Sequence, residues 1–139
     1  MGQQGMFEHL FAYGTLRSGE ANDIGEVAKR HDMANPENLG WASVTGYLHD
    51  FGNYPGLVID KAGHAVLGQI FHFPHELLPI LDDIEEFYPD RPSLFERTET
   101  TVTANGREIA CYVYVVGRDV LEKHPAIVDG DWVTYRRRR

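Results

Sequence analysis

The sequence has little of what secreted or membrane proteins usually carry. It contains a single cysteine, so no disulfide can form within the chain. No uninterrupted apolar run reaches the roughly 18 residues of a membrane-spanning helix. The N-terminus also lacks a basic segment followed by an apolar signal core. These absences predict a protein without a membrane partner, and the cytoplasm is the expected compartment.

Positive charge is scarce outside the last four residues. The formal net charge is -8, from 21 acidic and 13 basic side chains, and four of the basic ones form the terminal run Arg136 to Arg139. The rest of the chain therefore carries 21 acidic against 9 basic side chains, a net charge of -12. Such a body repels phosphate backbones, so nucleic acid is not an expected partner. The arginine tail, like residues 1 to 5, is predicted to be flexible.

The common catalytic and metal-binding motifs are missing as well. There is no HExxH, CxxC, GxSxG or GxGxxG pattern and no Walker lysine motif. The closest pair among the seven histidines, His72 and His75, lies at a predicted strand end, and no metal site is expected. Cys111 stands in an apolar, strand-like run, which predicts a buried structural residue and not a nucleophile.

The pattern of the chain predicts a single α+β domain over residues 1 to 139. Asn22 or Asp23 is predicted to cap a short helix that runs to about His31, and Asn105-Gly106 to form the turn of an antiparallel hairpin. The segment from Ile127 to Tyr135 is counted among the strands. Glycines within several strands permit bends, so we expect a small mixed sheet that is strongly curved or barrel-like, with a few short helices. Regular helices do not separate the strands, which argues against a Rossmann-type fold.

A glycine turn near the N-terminus is the first candidate for a ligand site. The segment Phe11 to Arg17 indicates a buried strand that breaks into a tight turn at Gly14. Successive N-H groups in such a turn can bind an anion, and Thr15 adds a hydroxyl group. The alternative is an ordinary strand-ending glycine turn, which these residues alone do not exclude.

A short acidic helix is the second candidate. Proline at its first position places it over residues 79 to 88, and at 100° per residue three of its acids, Asp82, Asp83 and Glu86, fall on the outward face. Glu85 alone falls on the apolar stripe. A carboxylate there is costly unless its pKa rises toward neutrality, which is what a general acid or base requires. The alternatives for Glu85 are an ion pair with Arg97 or a side chain that reaches water.

Arg97 follows Phe95 in an alternating strand pattern, so both side chains are expected on the same side. From that position Arg97 could steady either Glu85 or a substrate carboxylate.

Five segments occur in an order that one known family shares. They are Phe11 to Leu16, Val44 to Gly56, Val66 to Phe71, Leu81 to Glu85 and Phe95 to Arg97. In this order they resemble the YGTL turn, the G-x-L-x-D-x-G-x-Y-P segment, the V-x-G-x-x-Y strand, the L-D-x-x-E helix and the Y-x-R strand of the γ-glutamyl cyclotransferase superfamily. Within it, the chain resembles the AIG2-like proteins and γ-glutamylamine cyclotransferases.

The resemblance implies a small mixed barrel and an intramolecular aminolysis without a cofactor. The α-amine of a small γ-glutamyl substrate would attack its own γ-carbonyl, which forms 5-oxoproline and releases an amine or amino acid. Glu85 matches the catalytic glutamate of the family, as base and then acid. The backbone amides of the glycine turn would hold the α-carboxylate, so the expected substrate-binding residues are Tyr13, Gly14, Thr15, Leu16, Tyr54 and Arg97.

Two positions depart from the family pattern. Phe95 replaces the usual tyrosine, and Tyr54 or Tyr88 is the expected source of a substitute hydroxyl group. Glu86 stands where many members have glycine, which adds negative charge near the mouth of the site. The loop from Phe51 to Tyr54 and the tail from Trp132 are expected on the side of the leaving group.

Three hypotheses about function remain open at this stage. The first is a γ-glutamyl cyclotransferase. The second is a binding module on the same fold that senses a γ-glutamyl or amino-acid ligand, since a fold does not fix a function. The third is a hydrolase that pairs Glu85 with Asp82 and releases glutamate. The identity of the leaving group and the oligomeric state stay undetermined.

Overall fold

A six-stranded mixed sheet forms the centre of the fold. The structure, a computed structural model, describes residues 6 to 139, so the predicted flexible start at residues 1 to 5 lies outside the described residues. The strands are β1 (Phe7–Ala12), β2 (Glu37–Asp50), β3 (Pro55–Ile59), β4 (His64–Pro74), β5 (Glu96–Ala104) and β6 (Arg107–Val115). Their order in the sheet is β3-β2-β4-β1-β6-β5. Strands β1 and β6 pair in parallel, and the other neighbouring strands are antiparallel.

The sheet curls until strands from its two halves meet. The N-H of Val116, just after β6, donates to the carbonyl of Leu57 in β3 at 2.9 Å, although β3 lies at the far edge of the sheet. Strand β2 also contacts β5. A register shift between Asn38 and Gly40, where Gly40 has a φ of +117°, bends β2 at one of the predicted glycines. The predicted curved, barrel-like α+β fold is therefore confirmed.

Short helices flank the sheet. They are α1 (Ile24–Arg30), a 3₁₀ turn (His75–Leu77) that leads into α2 (Leu78–Ile84), α3 (Arg118–Leu121) and α4 (Trp132–Arg138). The carboxylate of Asp23 accepts hydrogen bonds from the N-H groups of Gly25 at 2.8 Å and Glu26 at 3.3 Å, so of the two predicted cap residues Asp23 caps α1. Within residues 6 to 139, no helix is long and apolar enough to cross a membrane.

Side chains alternate between two apolar clusters on the two faces of the sheet. Leu10 and Ala12 of β1 pack in one cluster with Ile24 of α1 and Leu81 of α2, whereas Phe11 points into the other. Trp132, which is 1% exposed, fills the second cluster from the start of α4. This arrangement fixes the end of β1 between α2 on one face and α4 on the other.

The C-terminal segment differs from its prediction in two ways. Residues 132 to 138 form a helix and not a strand, because Asp131 caps its first turn by accepting from the N-H of Val133 at 3.1 Å and Trp132 is buried. The arginine tail, expected to be flexible, belongs to this helix. Arg136 binds Glu20 at 3.0 Å and Arg139 binds Asp50 at 2.9 Å, acidic residues that are remote in sequence.

Candidate active site

A pocket opens where the end of β1, the turn that follows it, the start of β3 and the end of α2 meet. Its walls are formed by Phe11, Ala12, Tyr13, Gly14, Thr15, Leu16, Tyr54, Pro55, Glu85, Phe95 and Tyr114. A mostly apolar concavity with a few convergent polar groups is the usual form of a small-molecule site. Five of the predicted substrate-binding residues and the predicted acid-base residue thus share one pocket.

The glycine turn is held by its carbonyl groups, which leaves its amides available. The carbonyls of Gly14, Thr15 and Leu16 accept from the N-H groups of Arg17, Asn22 and Ile24 at 3.1, 2.8 and 3.1 Å. In the part of the chain that the structure describes, the N-H groups of the same three turn residues donate to no protein acceptor. Free, adjacent amides in a concave turn are suited to binding a carboxylate.

Two further contacts shape this turn. A Cβ atom on Gly14 would lie only 2.8 and 2.9 Å from Cγ and Cδ of Pro55, so glycine is required here by close packing. The Thr15 hydroxyl accepts from the Asn22 side-chain amide at 3.2 Å, which leaves its own hydrogen free to donate toward a ligand.

Glu85 lies at the point where α2 ends. The helix begins at Leu78, with Pro79 as its second residue, and stops at Ile84, four residues before the predicted end at Tyr88. The N-H of Glu85 still donates to the carbonyl of Leu81 at 3.0 Å, so its side chain keeps the helical direction and points into the pocket. Glu86 then turns the chain away with a φ of +55°.

The carboxylate of Glu85 is half-buried and unpaired. Among residues 6 to 139, no side chain forms a hydrogen bond or an ion pair with it. Burial raises the pKa of Glu85 from 4.5 to about 7. Near neutral pH such a group exists in both protonation states, so it can accept a proton and return it within one reaction.

Arg97 lies outside the pocket, which corrects the expectation that it steadies Glu85 or a substrate carboxylate. Its guanidinium forms an ion pair with Asp82 and lies over the ring of Tyr112 at 4.9 Å. Asp82 therefore differs from the prediction of a solvated outward face, because Arg97 of β5 and Tyr114 of β6 bind it. Asp83 and Glu86 are exposed, as predicted.

Tyr114 is a pocket residue that sequence reasoning missed. Its hydroxyl donates to Asp82 at 2.8 Å, and its carbonyl accepts from the hydroxyl of Tyr13 at 2.6 Å. Burial raises the pKa of both tyrosines above the usual range, with a contribution from the charge of Glu85 for Tyr13 and from Asp82 and then Glu85 for Tyr114. Both hydroxyls therefore stay protonated beside Glu85. The alternating run at the end of β6 indicated a strand but gave no sign of a site.

Of the two tyrosines considered as substitutes for Phe95, Tyr54 lines the pocket and Tyr88 does not. Tyr54 packs edge-on against Phe95 at 5.6 Å and stacks on Phe51 at 5.8 Å between ring centres. The hydroxyl of Tyr88 instead donates to Asp83 on the outer side of α2 at 2.9 Å.

Two outer cavities continue from the pocket. The first, which we call the vestibule, shares Thr15, Tyr54, Glu85 and Phe95 with the pocket and adds Ala21, Asn22, Asn53, Ile84, Glu86 and Leu94. The second, which we call the outer groove, is lined by Thr15, Gly19, Glu20, Ala21, Asn53, Trp132, Arg136 and Arg139. The start of α4 and one residue of the loop before Tyr54 therefore lie along the path out of the pocket.

Residues that were set aside on sequence lie away from the pocket. Cys111 is buried in the second apolar cluster, and burial raises the pKa of its thiol to about 11, so the thiol is un-ionised at neutral pH. His75 contacts Glu8 at 2.6 Å at the opposite end of β1. In the described residues, no group of three or more His, Cys, Asp or Glu side chains is placed to hold a metal ion.

Comparison with known proteins agrees with this geometry. The family model described as gamma-glutamyl cyclotransferase, AIG2-like matches residues 10 to 134. The gamma-L-glutamyl-butirosin B gamma-glutamyl cyclotransferase of Niallia circulans is 35% identical over 132 residues, which are 92% of this chain and 77% of that protein. The gamma-glutamylaminecyclotransferase of Mus musculus is 31% identical over 117 residues, 76% of each chain.

A solved structure has the same fold. The crystal structure of an AIG2-like protein from Mus musculus superposes with a TM-score of 0.73 at 27% identity, and the match covers 91% of this chain and 88% of that one. The family match spans both the glycine turn and Glu85, the two parts of the pocket described above. The chain therefore belongs to the gamma-glutamyl cyclotransferase, AIG2-like family of enzymes.

Proposed function

We propose that the protein converts a γ-glutamyl compound into 5-oxoproline and a free amine or amino acid by intramolecular aminolysis. The observation that carries the proposal is that one pocket contains both the Glu85 carboxylate, which has no ion-pair partner among the described residues, and the free amides of the glycine turn. The names of the similar proteins support the same general reaction.

The glutamyl part of the substrate would bind through its α-carboxylate. The amides of Gly14, Thr15 and Leu16 donate to that carboxylate, with the Thr15 hydroxyl as a further donor. Glu85 forms another wall of the same pocket, so the α-ammonium next to the carboxylate lies within its reach. Tyr54 and Phe95 confine the methylene chain and favour the folded conformer in which amine and γ-carbonyl approach each other.

The proton transfers follow from the pKa of Glu85. The ionised carboxylate takes a proton from the α-ammonium, and the free amine attacks the γ-carbonyl carbon to form the ring C-N bond. Protonated Glu85 then gives its proton to the departing nitrogen as the original amide bond breaks. The remaining extra proton on the ring nitrogen passes to the amine product, which leaves as an ammonium ion. These reaction steps need no water, redox step or cofactor.

The hydrolase hypothesis fits the geometry less well. It requires Asp82 to act together with Glu85, but Asp82 binds Arg97 and Tyr114 behind the pocket and does not line it. Hydrolysis would also release glutamate, whereas aminolysis releases 5-oxoproline, so the product distinguishes the two reactions.

Product analysis tests the proposal. The purified protein is incubated with a panel of γ-glutamyl amines and γ-glutamyl dipeptides, and both 5-oxoproline and glutamate are measured by mass spectrometry. We expect 5-oxoproline and no glutamate from at least one member. Glutamate alone would support the hydrolase. Neither product, with a ligand-induced rise in the melting temperature, would support the non-catalytic binding module.

A further inference from the structure

The vestibule is the space that the leaving amine must occupy. It adjoins the pocket directly, since the two share Glu85, Thr15, Tyr54 and Phe95. Its charged lining residues are Glu85 and Glu86, and its uncharged ones combine the amides of Asn22 and Asn53 with apolar side chains. No lysine, arginine or histidine belongs to this lining.

Glu86 keeps its negative charge uncompensated. It is exposed, and among residues 6 to 139 no basic side chain lies within ion-pair distance of it. Arg91, Arg97 and Arg136 are each paired with another acid, namely Asp90, Asp82 and Glu20. The backbone of Glu86 is fixed at the end of α2, where its N-H donates to the carbonyl of Asp83 at 3.1 Å. The vestibule therefore carries the exposed carboxylate of Glu86 in addition to that of Glu85.

An apolar wall lies beside this charge. Leu94 is 42% exposed, and it lines the vestibule together with Ile84 and Ala21. Such a surface favours contact with the methylene groups of a ligand. A leaving group with a short alkyl chain would lie along Leu94 and present its far end to Glu86.

From this arrangement we propose that the vestibule selects γ-glutamyl amines whose leaving group carries a second positive charge, and that Glu86 is the residue that binds this charge. The inference rests on the proposed function and adds the class of substrate. A carboxylate close to the scissile nitrogen, as in an α-dipeptide, would meet Glu86 without a compensating cation in the vestibule lining and would be disfavoured.

Three substrates of matched length test the inference. They are the γ-glutamyl derivatives of 1,4-diaminobutane, n-pentylamine and 4-aminobutanoate, which end in a cation, a methyl group and an anion. The values of kcat/KM are measured from 5-oxoproline formation. For the unmodified protein we expect the cationic substrate to exceed the neutral one by about fivefold, as for a solvent-exposed charge pair, and the anionic one to be the poorest. Salt at about 0.5 M should reduce this preference.

Substitutions of Glu86 test whether this residue causes the preference for the cationic substrate. The ratio of cationic to neutral kcat/KM should fall to within about twofold in Glu86→Gln, and Glu86→Lys should favour the anionic substrate. Glu86→Gly removes the same charge and suits the positive φ, so it serves if the glutamine variant folds poorly. Glu76→Gln removes an equal charge from an exposed position outside the vestibule and should leave the ratio unchanged.

The outcomes separate this inference from the proposed function. Formation of 5-oxoproline from all three substrates with equal kcat/KM, or an equal ratio in Glu86→Gln and the unmodified protein, would overturn the role of Glu86 and leave the reaction intact. Absence of 5-oxoproline from all three substrates and from the wider panel would overturn the proposed function, and this inference with it.

Discussion

Arg97 binds Asp82, three residues before Glu85 in the chain, and so holds its guanidinium behind the pocket. The hydroxyl of Tyr114 donates to the same carboxylate at 2.8 Å. The cation on this side of α2 is thereby occupied, and Glu85 faces the pocket without an ion-pair partner among the described residues. A guanidinium beside Glu85 would lower its pKa and weaken it as a base at neutral pH. The ion pair therefore keeps the guanidinium of Arg97 on the structural carboxylate of Asp82 and away from Glu85, the proposed catalytic carboxylate.

Replacing Arg97 should affect stability more than substrate binding. Arg97→Met leaves Asp82 partly buried with one hydrogen bond fewer, and we expect the free energy of unfolding in urea to fall by about 2 kcal/mol. The KM should change less than threefold, roughly, because Arg97 does not line the pocket. Arg91→Met, which removes an exposed pair with Asp90, is the matched control and should change little. A large rise in KM at unchanged stability would place Arg97 on the substrate.

The pH dependence of kcat/KM should report the ionisation of Glu85. Burial raises its pKa to about 7, and the proposed base is the ionised form. Between about pH 5 and pH 8, kcat/KM should therefore rise about tenfold per pH unit at first and level off above pH 7. Initial rates of 5-oxoproline formation at subsaturating substrate measure this profile. A flat profile over the same range would show that another group, or none, accepts the proton.

The free energy of unfolding should also depend on the ionisation of Glu85, but it should fall with pH where kcat/KM rises. The pKa of Glu85 is about 7 in the folded protein against 4.5 in the unfolded chain, so the folded protein binds more protons between these values. The free energy of unfolding should therefore decrease as pH rises through this window. Glu85→Gln has no charge to bury and should be more stable than the unmodified protein at pH 8, by at most about 3 kcal/mol.

Urea unfolding of both proteins at pH 4 and pH 8 measures this difference. At about pH 4 Glu85 is protonated in both the folded and unfolded states, so the two proteins should be nearly equal. A glutamine variant that is less stable at pH 8 would mean that the ionised carboxylate has a stabilising partner.

Enlarging Gly14 should disturb both the turn and the opposite wall of the pocket. In Gly14→Ala the new methyl group would lie 2.8 Å from Cγ of Pro55, so the turn and the Tyr54-Pro55 segment must move apart. We expect a loss of about 1 to 3 kcal/mol in the free energy of unfolding, together with a higher KM because the amides of the turn are displaced. Urea unfolding and steady-state kinetics measure the two effects. An unchanged KM would argue against carboxylate binding by this turn.

Features that depend on neighbouring residues could be predicted from the sequence. The cap at Asp23, the hairpin at Asn105-Gly106 and the turn at Gly14 each depend on a few adjacent residues. The direction of Glu85 also followed from helical periodicity, because the residue after the last turn of α2 still has nearly helical geometry. The position of Glu85 in the pocket wall and its raised pKa agree with the predicted direction of its side chain.

Features that depend on distant contacts could not be predicted. Arg97 meets Asp82, and Tyr114 reaches the same carboxylate, only because α2 packs against the edge of β5 and β6. Likewise, the residues from Trp132 onward have side chains common in strands, yet the cap at Asp131 and the burial of Trp132 make a helix. The partners of Arg136 and Arg139 lie more than 80 residues away in the sequence.

The central claim is that Glu85 moves the protons while the glycine turn holds the glutamyl group. The measurement that tests it most directly compares turnover and binding in Glu85→Gln, with Glu76→Gln as the control. The account predicts that Glu85→Gln loses at least about a hundredfold in kcat for 5-oxoproline formation. Its melting temperature should still rise when the γ-glutamyl substrate is added. Turnover close to that of the unmodified protein would contradict the assignment of Glu85 as the proton-transferring group.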